Sequence, residues 1–197
     1  MNEATVKPLS YKVLEGLSER LLAEHHDVLY AGYVKKLNEI RAKLADADQS
    51  EANASYSLFG ELKRAETFAA NGVGLHEAYF AGLGGDGIPS GDILKLIDRD
   101  CGGFDKWKDY MTAAGIASRG WVVAAYDLAS ESLICYSCDA HNLGCVWDAI
   151  PLVVLDVYEH AYYLDYATAR KTYIGAFFNN LDFGFANSVI ETRGIKI

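Results

Sequence analysis

The chain has 197 residues, 51% of them hydrophobic, and a formal charge of −9. That balance excludes intrinsic disorder and opposes a nucleic-acid partner, whose phosphates demand a basic surface. No apolar run reaches the roughly 18–20 residues that span a bilayer, and residues 1–11 lack the apolar stretch of a secretory leader. The expectation is therefore a soluble cytoplasmic protein with no membrane partner.

From Ser18 to about Ala45 apolar positions recur at three- and four-residue spacing through Leu22, His25 or His26, Leu29, Tyr33 and Leu37, which predicts a helix. Residues 46–50 read as a turn. A second helix is expected from about Glu51, with Leu58, Leu62, Ala65 and Phe68 or Ala69 on one face. Gly72 and Gly74 should weaken or kink it before it resumes through His76, Tyr79 and Phe80. Two long helices with a short connection should form an antiparallel hairpin.

The run from Gly84 to Pro89 is the strongest break and the expected domain boundary. It divides a helical domain, 1–86, from an α+β domain, 87–197. Ser90 is a plausible N-cap for a helix to about Asp100. Phe104, Trp107, Tyr110, Met111 and Ala114 mark another helix, ended by the region from Gly115 to Gly120. The period then changes. Residues 121–128 and 132–138 are short β-prone runs joined by a hairpin at 129–131, and 151–156 is a third, buried strand. Helical segments from His160 to about Asn180 and from Phe183 to Thr192 complete an α+β fold with a small three-stranded antiparallel sheet.

Cys135 and Cys138 have the spacing of half a zinc site, but Cys101 and Cys145 do not form the second half. Residues three apart on a strand also point to opposite faces. Reduced, buried cysteines are the better reading. The histidines are more informative. His25 lies on the inner face of the first helix and His76 among aromatic residues of the second. Asp156 ends an apolar run, and His160 follows four residues later. A buried carboxylate needs a cation, and a nearby histidine points to a metal rather than a lysine. Taken singly each has a plainer reading: a core or surface histidine, or an aspartate that caps the following helix.

The segment from Asp156 through Val157, Tyr158, Glu159, His160, Ala161, Tyr162 and Tyr163, with Tyr166 beyond it, resembles the C-terminal signature of the iron/manganese superoxide dismutase family. His25-His26 ahead of Tyr33 to Asn38 resembles that family's first helix. Gly72 to His76, followed by Tyr79 and Phe80, resembles its second metal-binding segment, and the likeness runs from about Leu9 to Val189. It implies one iron or manganese ion per subunit on His25, His76, Asp156 and His160, a donor set suited to a first-row ion. The implied activity is conversion of superoxide, a small anion, to dioxygen and hydrogen peroxide by redox cycling of that ion.

The same resemblance gives Tyr33 the place of a gateway residue, and makes Trp121 and Tyr158 walls of the pocket. His141 stands for the more frequent glutamine that bonds the bound solvent, or is a solvent-exposed loop residue. Gly72 occupies the alternative glutamine position. Leu29 replaces a histidine, Tyr158 a tryptophan, and Val154 fills a position tied to metal choice, so iron and manganese both stay open. Glu159 reaching His160 of the other subunit, with Tyr163 beside it, implies a homodimer. Two further readings share these residues: a facial-triad iron enzyme using His25, His76 and Asp156, and a metal-storing or structural helical protein.

Overall fold

The computed structural model describes residues 3–197. Ser18 starts the first helix by accepting a hydrogen bond from the Leu21 N–H at 3.1 Å. The helix runs through α1 (Glu19–Ala23), a π-helical segment (Glu24–Tyr30) and α2 (Ala31–Ala45). A π segment carries more residues per turn, so it rotates everything after it. Leu29, expected on the inner face, is therefore 37% exposed, while Tyr30 takes the inward place at 1%.

The second helix, α3 (Leu58–Ala81), begins later than expected. Asn53 accepts from the N–H groups of Ser55 and Tyr56, which holds 53–56 in a turn, and Ser57 caps the helix through the Gly60 N–H. Leu58 consequently lies outside the core. Gly72 and Gly74 do not interrupt α3, whose helical bonding is continuous. The pairs Tyr30–Glu77 (2.9 Å) and Arg41–Glu66 (3.3 Å) run in opposite directions along the two helices, so they are antiparallel.

The glycine-rich run after α3 is docked rather than free. Gly84 and Gly85 donate to the Asn180 carbonyl at 2.9 and 3.1 Å, and Gly87 donates to that of Leu181 at 3.1 Å. Next come α4 (Asp92–Cys101) and α5 (Phe104–Ala117). Ser90 does not cap α4. Asn187 does so from across the fold, accepting from the Ile93 N–H and donating to the Ser90 carbonyl. Gly115 lies inside α5, pressed against Ile174 and Leu155, and the helix ends only at Ser118.

Strands β1 (Trp121–Asp127), β2 (Ser132–Cys138) and β3 (Ala149–Asp156) form an antiparallel sheet in the order β2-β1-β3. The register sets Trp121 opposite both Cys138 and Asp156. Every residue of β1 is buried, as a central strand covered on both faces requires. The single helix expected from His160 to Asn180 is three pieces: a 3-10 turn (Glu159–Ala161), α6 (Tyr163–Tyr166) and α7 (Arg170–Asn179). Ala167, at φ 46°, breaks the helical path between the last two. The chain closes with α8 (Phe183–Arg193). Among the described residues no helix is long and apolar enough to cross a membrane.

The cysteine reading needs correction. All four are free, but only Cys138 is buried. Cys101 and Cys135 are half-buried and Cys145 is exposed.

Candidate metal centre

Four side chains from four parts of the chain meet between the helical pair and the sheet. His25 comes from the π segment, His76 from α3, Asp156 from the last position of β3 and His160 from the 3-10 turn. One ligand atom from each lies within 4.8 Å of all the others. The Asp156 Oδ2 atom is at the centre, 3.2 Å from His25 Nε2, 3.7 Å from His76 Nε2 and 3.1 Å from His160 Nε2.

Two of the remaining side-chain polar atoms are already committed. The Tyr158 N–H donates to Asp156 Oδ1 at 2.9 Å, which fixes the carboxylate and leaves Oδ2 facing inward. His76 Nδ1 donates to the Gly72 carbonyl one turn earlier, at 2.6 Å, so its Nε2 is unprotonated and able to ligate a cation. The Tyr173 hydroxyl donates to the Asp156 carbonyl at 2.7 Å, and Tyr79 backs Tyr173 at 3.2 Å.

The fit to a cation is tested by what this arrangement leaves over. His25 Nε2 and His76 Nε2 are buried and lack an aligned hydrogen-bond partner despite their nearness to Asp156. Orphaned buried nitrogens aimed at a buried carboxylate are costly without a cation between them. Burial lowers the His25 and His76 imidazoles, the latter to about 3, which keeps them neutral and able to ligate. Burial alone would raise Asp156, but the imidazoles of His160 and His25 hold it well below the usual carboxylate range. For His160, burial is outweighed by Asp156, and its pKa rises. Three imidazoles and one carboxylate, with no sulfur, suit iron or manganese.

A second set of side chains lines one side of the cluster. His141 is buried, not exposed on its loop. Trp121 Nε1–H donates to His141 Nδ1 at 3.0 Å, and His141 Nε2 lies 2.7 Å from the Tyr33 hydroxyl. Tyr158 stacks on His160 with ring centres 5.1 Å apart and meets His141 at 5.3 Å. Gly72 explains how this fits: a Cβ there would lie 3.0 Å from the Tyr33 ring and 3.3 Å from that of His141. A larger side chain at 72 and an imidazole at 141 would compete for one volume. Val154 is buried within β3, two residues before Asp156, and nothing in the structure ties it to a choice of metal.

All eight residues predicted for the ligand set and the pocket therefore meet. Glu159 and Tyr163 lie at the edge, exposed. The prediction missed Tyr30, whose inward turn depends on the π segment, and Tyr173, which reaches Asp156 from α7 with no local signal. The Gly72–His76 bond, at a spacing of four on one helix, was available to it.

Residues 89–189 match the family model described as iron/manganese superoxide dismutases, C-terminal domain. Iron superoxide dismutases from Aquifex aeolicus (strain VF5) and Aquifex pyrophilus are each 46% identical over 183 residues, covering 90% of this chain and 86% of theirs. A manganese superoxide dismutase from Haloarcula marismortui is 35% identical over 190 residues, covering 93% of this chain and 91% of its own.

Proposed function

The chain belongs to the iron/manganese superoxide dismutase family, and on that premise we propose that His25, His76, Asp156 and His160 are its metal ligands, with Tyr33, His141, Trp121 and Tyr158 as the pocket that serves them. Its activity is conversion of superoxide to dioxygen and hydrogen peroxide with one bound iron or manganese ion. The observation that carries the ligand assignment is the convergence of four donor atoms within 4.8 Å, two of them buried nitrogens without aligned partners. When bound, the metal supplies one-electron redox chemistry; protons and orientation must come from the chain.

Trp121 can only donate, so His141 Nδ1 must accept. The proton of the neutral ring is then on Nε2, which donates to Tyr33. Burial lowers His141 to about 4, which keeps this form at neutral pH. The Tyr33 hydroxyl, already an acceptor from His141, keeps its own proton free to donate toward the space beside His76, whose ring is 5.3 Å away. Burial, then the charge of Asp156, raises the Tyr33 pKa, so that proton is retained until a basic product needs it.

The wider reading follows. The ligands divide evenly between a helical unit, 1–86, and an α+β unit, 87–197, with the ion held between them. Two copies pair through Glu159, His160 and Tyr163 to form a homodimer. The free cysteines fit a reducing cytoplasm. The test is metal analysis and superoxide dismutation of the purified protein after reconstitution with iron or manganese, iron first because the two 46% relatives are named for it. One ion per chain and dismutation by at least one form are expected. A loaded protein inactive in both forms would overturn the activity. His160→Ala should lose metal and dimer, and retention of both would overturn the ligand set.

A further inference from the structure

His141 is carried on a short loop, 139–144, that leaves β2 after Cys138 and ends at Cys145. The loop is a tight turn: Asp139 donates to the Leu143 carbonyl at 3.1 Å and Leu143 to that of Ala140 at 3.2 Å. Gly144, at φ +95°, returns the chain so closely to β2 that a Cβ there would lie 2.5 Å from the Ser137 oxygen and 3.0 Å from Cys138 Cα. That approach sets the next residue, Cys145, beside Cys138. Both line a cleft of about 310 Å³ with Tyr136, Asn142 and Trp147. Cys145 is exposed, whereas Cys138 is 3% exposed. The Cys145 thiol donates to the backbone carbonyl of His141 at 3.2 Å.

We propose that Cys138 and Cys145 are a peroxide-responsive dithiol that closes to a disulfide across the loop carrying His141 and so slows the enzyme when its own product accumulates. Exposure and a lining place in the cleft make Cys145 the sulfur oxidised first. Its thiolate sulfur attacks one oxygen of hydrogen peroxide; an S–O bond forms, the O–O bond breaks, and the departing hydroxide leaves as water with the thiol proton. The Cys138 sulfur then attacks the sulfenic sulfur; an S–S bond forms, the S–O bond breaks, and a second water leaves with the Cys138 proton. Two thiols lose two electrons, and one peroxide becomes two waters. A dithiol reductant reverses the step. Burial raises Cys138 to about 11 and also raises Cys145, so the pair is mostly thiol and responds to sustained rather than passing peroxide.

The consequence lies in the geometry of the loop. Closing the pair to the roughly 2.05 Å of an S–S bond draws Cys145 toward β2 and abolishes its S–H donor to His141. His141 is held by two bonds, to Trp121 and Tyr33, at 3.0 and 2.7 Å, which tolerate little displacement. A shift of a fraction of an ångström there should lower activity on the order of tenfold.

The experiment treats the reduced, metal-loaded protein with hydrogen peroxide, alkylates the remaining thiols, and maps the peptides by mass spectrometry. A Cys138–Cys145 linked peptide is expected, with Cys101 and Cys135 alkylated. Activity should fall in step with the link and return with dithiothreitol. Cys145→Ser keeps a hydroxyl donor for the His141 carbonyl, so its basal activity should match the parent and its reversible loss should vanish. The link map is read without any activity, so failure of the metal-site assignment would leave it standing. The proposal is overturned if both thiols stay alkylatable, if Cys145 proceeds to sulfinic acid unlinked, or if Cys101 joins Cys135 instead. It also fails if the linked protein is as active as the reduced one, or if Cys145→Ser shows the same reversible loss.

Discussion

Trp121 contributes one N–H, and that donor decides which nitrogen of His141 holds its proton. In Trp121→Phe the buried Nδ1 loses its partner and the ring is free to change tautomer or rotate. Loss of one such bond is worth about 1.5 kcal/mol, so kcat should drop roughly tenfold. Metal content should stay unchanged, since Trp121 holds no ligand; a variant that also loses its ion would show a structural role instead. His141 gives a separate, pH-dependent signature. Its ordinary value near 6.5 is lowered by burial to about 4 in the fold. Between those values the unfolded chain binds a proton that the folded chain refuses, so stability present above pH 6.5 is lost as pH falls through this window. In metal-free protein, Tm should therefore decline less steeply from pH 6.5 to 4 for His141→Gln than for the parent. Parallel curves would show that His141 is not held neutral by the fold. The proposed ligands were legible because a carboxylate at the end of an apolar run is conspicuous and the motif around it is specific. Tyr173 was not, because its bond to Asp156 is purely tertiary and α7 offers no periodic reason to place a hydroxyl there.

Helices and strands were readable wherever one period ran undisturbed, as in α2, α5, β1 and β3. The failures come from bonding that the local pattern does not show, from elsewhere in the fold or from a change of helical type. Asn187 of α8 supplies the α4 cap that Ser90 was expected to give. The π segment moves Tyr30 into Leu29's expected place. The glycine-rich run at 84–87 has a linker's composition, yet it is stitched to the end of α7 through three backbone bonds. Gly85 is the sharpest point of that seam. A Cβ there would meet the Leu181 carbonyl, and would lie 2.6 Å from Asp182 Cα, all backbone that cannot rotate away. Gly85→Ala should therefore destabilise the protein by about 3 kcal/mol. The check is chemical denaturation at constant metal loading, where the midpoint should fall with the slope unchanged. A variant as stable as the parent would mean that the seam opens freely and that 84–89 is a true linker.

At the scale of the whole molecule a net charge of −9 opposes a small anionic substrate, so attraction must be local. A metal cation held by one carboxylate and three imidazoles would provide it. The same site adjoins the surface through which two copies are proposed to pair. His160 Nε2 lies 3.1 Å from Asp156 Oδ2, and its side chain is 23% exposed. Glu159 is exposed beside it, and Tyr163 and Leu164 are 51% and 49% exposed, a partly apolar border around a proposed ligand. In a two-fold interface every contact occurs twice, so Glu159→Ala would remove both proposed bonds to His160 at once. Two charge-assisted bonds contribute roughly 3 kcal/mol or more, over a hundredfold in Kd. By sedimentation the parent should run at twice the chain mass of 21.6 kDa, and Glu159→Ala as a single chain at low micromolar concentration. Because Glu159 would also orient the ring of the proposed ligand His160, the variant should lose metal faster to a chelator, even at concentrations that restore pairing. A Glu159→Ala protein that stays dimeric and holds its ion like the parent would place the pairing surface elsewhere and leave His160 oriented by Asp156 and Tyr158 alone.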